Sequence, residues 1–185
     1  MYQEKLPGLG LLELAVLRPA EHAPLVHGWV TAPRAVYWGM GAYSVDEVRE
    51  VYEFVDGLPT HHAFLITLDG TPIGLLQTYE PAADPVGERY EVEPGDIGMH
   101  LLMAPGPHAP HGLTNAVAPA LVRFMFADPT RQRVVAEPDV RNERMLHRLR
   151  LSGFTFAGEI DMPGKRAQLA FLTRARFEAD HPAPS

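Results

Sequence analysis

Two short segments hold the residue types that acid–base chemistry needs. The first is Gly95-Asp96-Ile97-Gly98-Met99-His100-Leu101-Leu102, an apolar strand with a histidine inside it. The second is Val134-Val135-Ala136-Glu137-Pro138-Asp139-Val140-Arg141-Asn142, an apolar strand that closes on an aspartate. Each is followed by a segment that reads as a helix. Side by side in one sheet, two such strand ends would offer a general base and a carboxylate to orient it. Histidine is the side chain whose ordinary pKa suits proton transfer near neutral pH. Taken alone, His100 reads first as a packing residue of a buried strand, and Asp139 as a turn or helix-cap residue.

The elements that must position these residues follow from local patterns. Leu11–Leu17 reads as a strand, and a helical segment runs from about Arg18 to Val30. Pro24 is expected only in that helix's first turn. Ser44-Val45-Asp46-Glu47 is a capping box, and Val48, Val51, Tyr52 and Val55 follow at helical spacing up to Gly57-Leu58-Pro59. Ala63–Leu68 and Ile73–Tyr79 flank Asp69-Gly70, a hairpin signal. A polar loop, 81–94, leads to the His100 strand. A Pro- and Gly-rich loop, 104–113, leads to a helix over 115–127. Asn142 suits the N-cap of a helix over 143–152, which Gly153 ends. Phe154–Ile160 and Ala167–Leu172 form a last hairpin around Pro163-Gly164. The predicted order is β-α-α-β-β-β-α-β-α-β-β, an α/β (α+β) chain with about seven strands in a mixed sheet and about four helices. Residues 1–177 are expected as a single domain, with 178–185 a disordered tail.

Composition narrows the function classes. The 185 residues carry a net charge of −7, against non-specific nucleic-acid binding. There are no cysteines, so disulfides and thiolate chemistry are excluded. No apolar run approaches the roughly 20 residues needed to span a bilayer, and the N-terminus shows no secretory pattern. A cytoplasmic location, no membrane association and a monomer or weak dimer are the expectations. His108 and His111 lie near one another but have no carboxylate at ligand spacing, so no metal is expected.

The combined Asp96–Leu102 and Glu137–Asn142 motifs, followed by Gly153-Phe154, resemble the siderophore-biosynthesis acyltransferases of the GCN5-related N-acetyltransferase (GNAT) superfamily. These include the aerobactin, rhizobactin and mycobactin types and the desferrioxamine-pathway acyltransferase of N-hydroxycadaverine. His27-Gly28-Trp29, Trp38, Tyr79-Glu80 with Asp84, and Lys165-Arg166-Ala167 also look like that family. The resemblance runs from about Leu17 to Phe177. It implies a GNAT fold, an acyl-CoA co-substrate (acetyl-CoA or succinyl-CoA), and His100 and Asp139 as the catalytic pair. The acceptor it implies is the hydroxylamine nitrogen of N-hydroxycadaverine or N6-hydroxylysine.

Further roles fit that frame. Backbone N–H groups around Leu101, Leu102 and Met103 are placed to meet the thioester. Gly112, Leu113 and Thr114, at a helix start, would meet phosphate. Each proline in the 104–114 loop removes a donor, and the usual superfamily pattern of a basic residue and two glycines is reduced to Gly112. Asn142 and Arg144 are candidates for contact with coenzyme A, although Arg141, Arg144, Arg148 and Arg150 also read as a solvated face. Trp29, Trp38 and Tyr79 could line a slot for an aliphatic chain or simply pack the core. Glu80, Asp84 and Glu137 could receive the far ammonium of a diamine. Two other readings stay open: an aminoglycoside 6′-N-acetyltransferase-like enzyme, and a non-catalytic acyl-CoA-binding module.

Overall fold

A computed structural model describes residues 1–104 and 112–182. Among the described residues there are eight strands: β1 (Tyr2–Leu6), β2 (Gly10–Val16), β3 (His61–Leu68), β4 (Thr71–Tyr79), β5 (Asp96–Met103), β6 (Arg133–Ala136), β7 (Thr155–Met162) and β8 (Lys165–Thr173). The α-helices described with them are α1 (Pro19–Val30), α2 (Val45–Asp56), α3 (Leu113–Met125), α4 (Glu143–Leu151) and α5 (Arg174–Asp180). Short 3₁₀ segments cover Pro33–Trp38, Pro81–Ala83 and Pro85–Glu88. The strands follow the order β1-β2-β3-β4-β5-β6-β8-β7 in a mixed sheet. The chain gathers into two compact units, one of Met1–Thr78 with His100–Val117, the other of Tyr79–Met99 with Ala118–Ser185.

In the first unit, β1 and β2 form an antiparallel hairpin, and β2 pairs antiparallel with β3 from Leu12↔Leu68 to Val16↔Phe64. Asp69 at φ 47° and Gly70 at φ 75° make the tight turn that Asp-Gly predicts. The capping box at α2 forms as expected: Ser44 Oγ accepts from Glu47 N–H, and Glu47 accepts from Ser44 N–H. Helices α1 and α2 bury Val26, Trp29, Val30, Val48 and Tyr52 in a core with Leu17, Leu65, Leu75 and Leu102. That burial explains a departure from expectation. Pro24 lies inside α1, beyond its first turn, and Pro119 inside α3. Each removes one helical hydrogen bond. Packing of Ala23 and Val26 around one, and of Val117, Ala120 and Leu121 around the other, outweighs that loss.

In the second unit, β5 runs parallel to β6 through Asp96↔Arg133, Ile97↔Val134 and Gly98↔Val135. β6 pairs antiparallel with β8, which pairs with β7. A bulge between Phe156 and Gly158 interrupts the β7 register. Buried Asp96 anchors the loop before β5: it accepts from Tyr90 Oη, from Glu93 N–H and from both arms of Arg133. Helix α5 carries order to Asp180, three residues into the segment read from the sequence as a tail.

Candidate active site

His100 lies in the second half of β5, half-buried, within the first unit. Trp38 meets it edge-on, ring centroids 6.2 Å apart at 76°. Trp38 ends the 3₁₀ segment, and Gly39 follows at φ 82°, a left-handed conformation that turns the chain away. Trp38 Nε1 donates to Tyr52 Oη at 3.3 Å, and Tyr52 is buried in α2. Burial raises the Tyr52 pKa, so its hydroxyl stays protonated and neutral. The indole that stands against the histidine is therefore fixed from behind by a helix. Arg34, from the same 3₁₀ segment, donates to the carbonyl of Ala104 just past β5 at 3.3 Å.

Asp139 belongs to the second unit. The sequence reading placed it at the end of the β6 strand, but β6 closes at Ala136 and Asp139 forms an isolated antiparallel bridge with Ala167. Pro138 is the physical reason, since it has no N–H for the ladder. The register nonetheless continues: Gln168 N–H donates to Pro138 O at 2.9 Å and Val140 N–H to Arg166 O at 3.0 Å. The Asp139 carboxylate is 3% exposed and is gripped by its own near neighbour. Arg141 donates to it from its backbone N–H at 2.9 Å, from Nε at 2.8 Å and from Nη2 at 2.6 Å. The Arg141 guanidinium holds the Asp139 pKa down at about 2. Asp139 is thus a carboxylate at any neutral pH, suited to orienting or balancing a charge and not to accepting a proton.

The remaining predicted residues fall into distinct places. Leu101, Leu102 and Met103 occupy the end of β5, with Leu102 buried in the first unit's core. Gly112 takes φ 83°, with open space where a side chain would begin, and Leu113 and Thr114 open α3. The rest of the proposed phosphate loop, with His108 and His111, lies outside the described residues. Asn142 caps α4 by accepting from Met145 N–H at 3.2 Å, and Arg144 is exposed on that helix. Trp29 is a core residue, 6% exposed, and so packs the first unit instead of lining a slot.

The three acidic residues are already engaged. Both arms of Arg131 hold Glu80, and Asp84 accepts from Val86 N–H. Glu137, 3% exposed, accepts from Tyr79 Oη at 2.6 Å and from Lys165 Nζ at 3.3 Å. Burial and the adjacent Glu137 charge push the Tyr79 pKa well up, so Tyr79 stays a donor. With Glu80 and Glu137 both against cations, the acidic pocket expected for a diamine is largely neutralised. Arg141 and Lys165 are the participants that sequence reasoning did not tie to Asp139 and Glu137. The Asp-x-Arg spacing was visible; the reach of Lys165 across the sheet was not. Among the described residues, no group of three or more His, Cys, Asp or Glu is placed to hold a metal.

Within the mixed sheet β5 and β6 run parallel, while the pairs β1–β2, β2–β3, β6–β8 and β7–β8 are antiparallel. The chain belongs to the acetyltransferase (GNAT) domain family, whose model matches residues 18–162. It is 28% identical over 90% of its length to the N(6)-hydroxylysine O-acetyltransferase of Escherichia coli, and spans 53% of that enzyme. It is 28% identical over 91% of its length to lysine N-acyltransferase MbtK of Mycobacterium sp. strain MCS, spanning 71% of it. Among solved structures, aminoglycoside acetyltransferase AAC(6')-Ib in complex with coenzyme A superposes with a TM-score of 0.80 at 25% identity, over 91% of this chain and 98% of that one.

Proposed function

We propose that this chain is an acyl-CoA-dependent N-acyltransferase acting on a hydroxylamine, with N-hydroxycadaverine or N6-hydroxylysine as acceptor and acetyl- or succinyl-CoA as donor. The product is a hydroxamate, an iron-binding group, which suits a role in siderophore assembly. The observation that carries the reading is likeness along nine-tenths of the chain to an enzyme named for N(6)-hydroxylysine.

The chemistry asks little of the base. An alkylamine arrives as an ammonium, with a pKa near 10.4 as in lysine, and must first lose a proton. A hydroxylamine nitrogen is far less basic and arrives neutral. It attacks the thioester carbonyl, a C–N bond forms, and His100 accepts the N–H proton as the tetrahedral intermediate develops. The C–S bond then breaks and coenzyme A leaves as the thiol with that proton. Asp139, held ionised by Arg141, is the carboxylate proposed as the orienting partner. Leu101 and Leu102, at the end of β5, are the proposed backbone donors to the oxyanion. The glycine at φ 83° and the N-terminal turn of α3 suit a phosphate of coenzyme A, with Asn142 and Arg144 as further proposed contacts. Trp38 stands beside the acceptor's alkyl chain.

The Escherichia coli relative is named for transfer to oxygen, whereas this reading puts the acyl group on nitrogen. Purified protein, acyl-CoA and each hydroxylamine therefore decide the matter by product. A hydroxamate gives a coloured ferric complex and an O-acyl product does not. The likeness to AAC(6')-Ib favours a second reading, acetylation of an aminoglycoside. Kanamycin assayed in parallel separates the two. Faster thiol release with kanamycin than with either hydroxylamine would sink the first reading.

A further inference from the structure

We propose that Lys165 is a positioning residue for the reaction, setting the place of Asp139 through the main chain of the turn that carries it. The inference rests on the acyltransfer reading above. Beyond Ala136 the β6 chain has lost its regular ladder, because Pro138 offers no N–H. What replaces the ladder is a set of contacts with β8. Gln168 donates to Pro138 O, Val140 donates to Arg166 O, and Lys165 Nζ donates to the carbonyl of Glu137 at 2.6 Å. Lys165 also reaches the Glu137 carboxylate at 3.3 Å.

The register explains how the lysine gets there. Asp139 stands opposite Ala167, so Glu137, Asp139, Lys165 and Ala167 fall on one face of this part of the sheet. Ala167 is fully buried and contributes only a methyl group. Lys165 reaches Glu137, two residues before Asp139, with its ammonium. On its other side Glu137 is fixed by Tyr79 from β4. Tyr79 in turn lies flat against Gly98, where a Cβ would come within 2.0 Å of its ring. Gly98, Tyr79, Glu137 and Lys165 thus form a buried chain of contacts that ends on the Asp139 turn. The lysine side chain is only 24% exposed, and among the described residues both hydrogen bonds of its ammonium go to Glu137.

The test is made on the full chain with Lys165→Met, Lys165→Gln and Lys165→Arg. Two quantities are read: amide hydrogen exchange at Val140 and Arg141, and kcat and KM with whichever acceptor the parent protein uses. Lys165→Met, or Lys165→Gln if the first does not fold, is expected to speed exchange at both amides. The same variant is expected to lower kcat by about 10-fold or more, as sub-ångström misplacement of a catalytic group does. KM for acyl-CoA should move by less than about 3-fold, since ground-state donor binding is untouched. Lys165→Arg should recover most of both losses. A variant whose melting temperature falls while kcat holds overturns the proposal, as does Lys165→Arg no better than Lys165→Met. If the parent protein turns over no acceptor, the acyltransfer reading falls. Unchanged exchange at Val140 and Arg141 in Lys165→Met overturns the positioning of the turn whichever acceptor is right.

Discussion

At the scale of single residues, two side chains divide the proposed acid–base work by environment. Asp139 is buried but tied to an exposed arginine two positions on, and its proton is lost far below neutrality. That leaves His100 in the role proposed for the base. His100→Ala and Asp139→Ala are therefore expected to lower thiol release by orders of magnitude, on the order of 10²–10⁴ for the base, with circular dichroism unchanged. Near-parental rates for both would mean that another group is the base. The pH dependence has a definite sign. The folded pKa of Asp139 lies below its ordinary 3.8, so the stability it lends is fully present above that value and drains away as pH falls toward about 2. Asp139→Asn should show a smaller loss of melting temperature over that acid range than the parent chain. Across neutral pH the same replacement should leave the slope of stability unchanged. The His100 and Asp139 motifs were legible because each sits in a short, distinctive run. The Tyr79–Glu137 contact was not, because it depends on β4 and on a Gly98 that lets an aromatic ring lie against the backbone.

At the scale of elements, the sequence was most informative where structure is local. The Ser44 capping box, the Asp69-Gly70 turn and the Asn142 cap all form from residues within four positions of each other. β1 was missed because Tyr2-Gln3-Glu4-Lys5-Leu6 is mostly charged and polar, and only its pairing with β2 makes it a strand. The insertion of β8 between β6 and β7 was equally invisible, since no local pattern specifies which distant strand a hairpin adopts. Helices α1 and α3 absorbed prolines that propensity alone would place at their ends. The capping box offers a clean check. Its hydrogen bonds are exposed and remote from His100 in sequence, so Ser44→Ala should cost about 1 kcal/mol of stability by thermal or denaturant unfolding. It should leave kcat where it was. A loss of turnover at full stability would show that the α2 start takes part in acceptor binding.

At the scale of the whole molecule, a curated relative is nearly twice as long, yet the family match covers most of this chain. The purified 185-residue protein is expected to release coenzyme A thiol by itself; dependence on an added protein would overturn that expectation. The strand order also places β7 at one end of the sheet, an edge strand among the described residues. Several features blunt that edge. The bulge between Phe156 and Gly158 twists it, and Glu159 and Asp161 stand exposed along it, the former paired with Arg166. An incoming strand would meet an irregular register and two carboxylates that must lose water. The hairpin that presents Lys165 to the Glu137 turn therefore carries its own guard against pairing edge to edge with another chain.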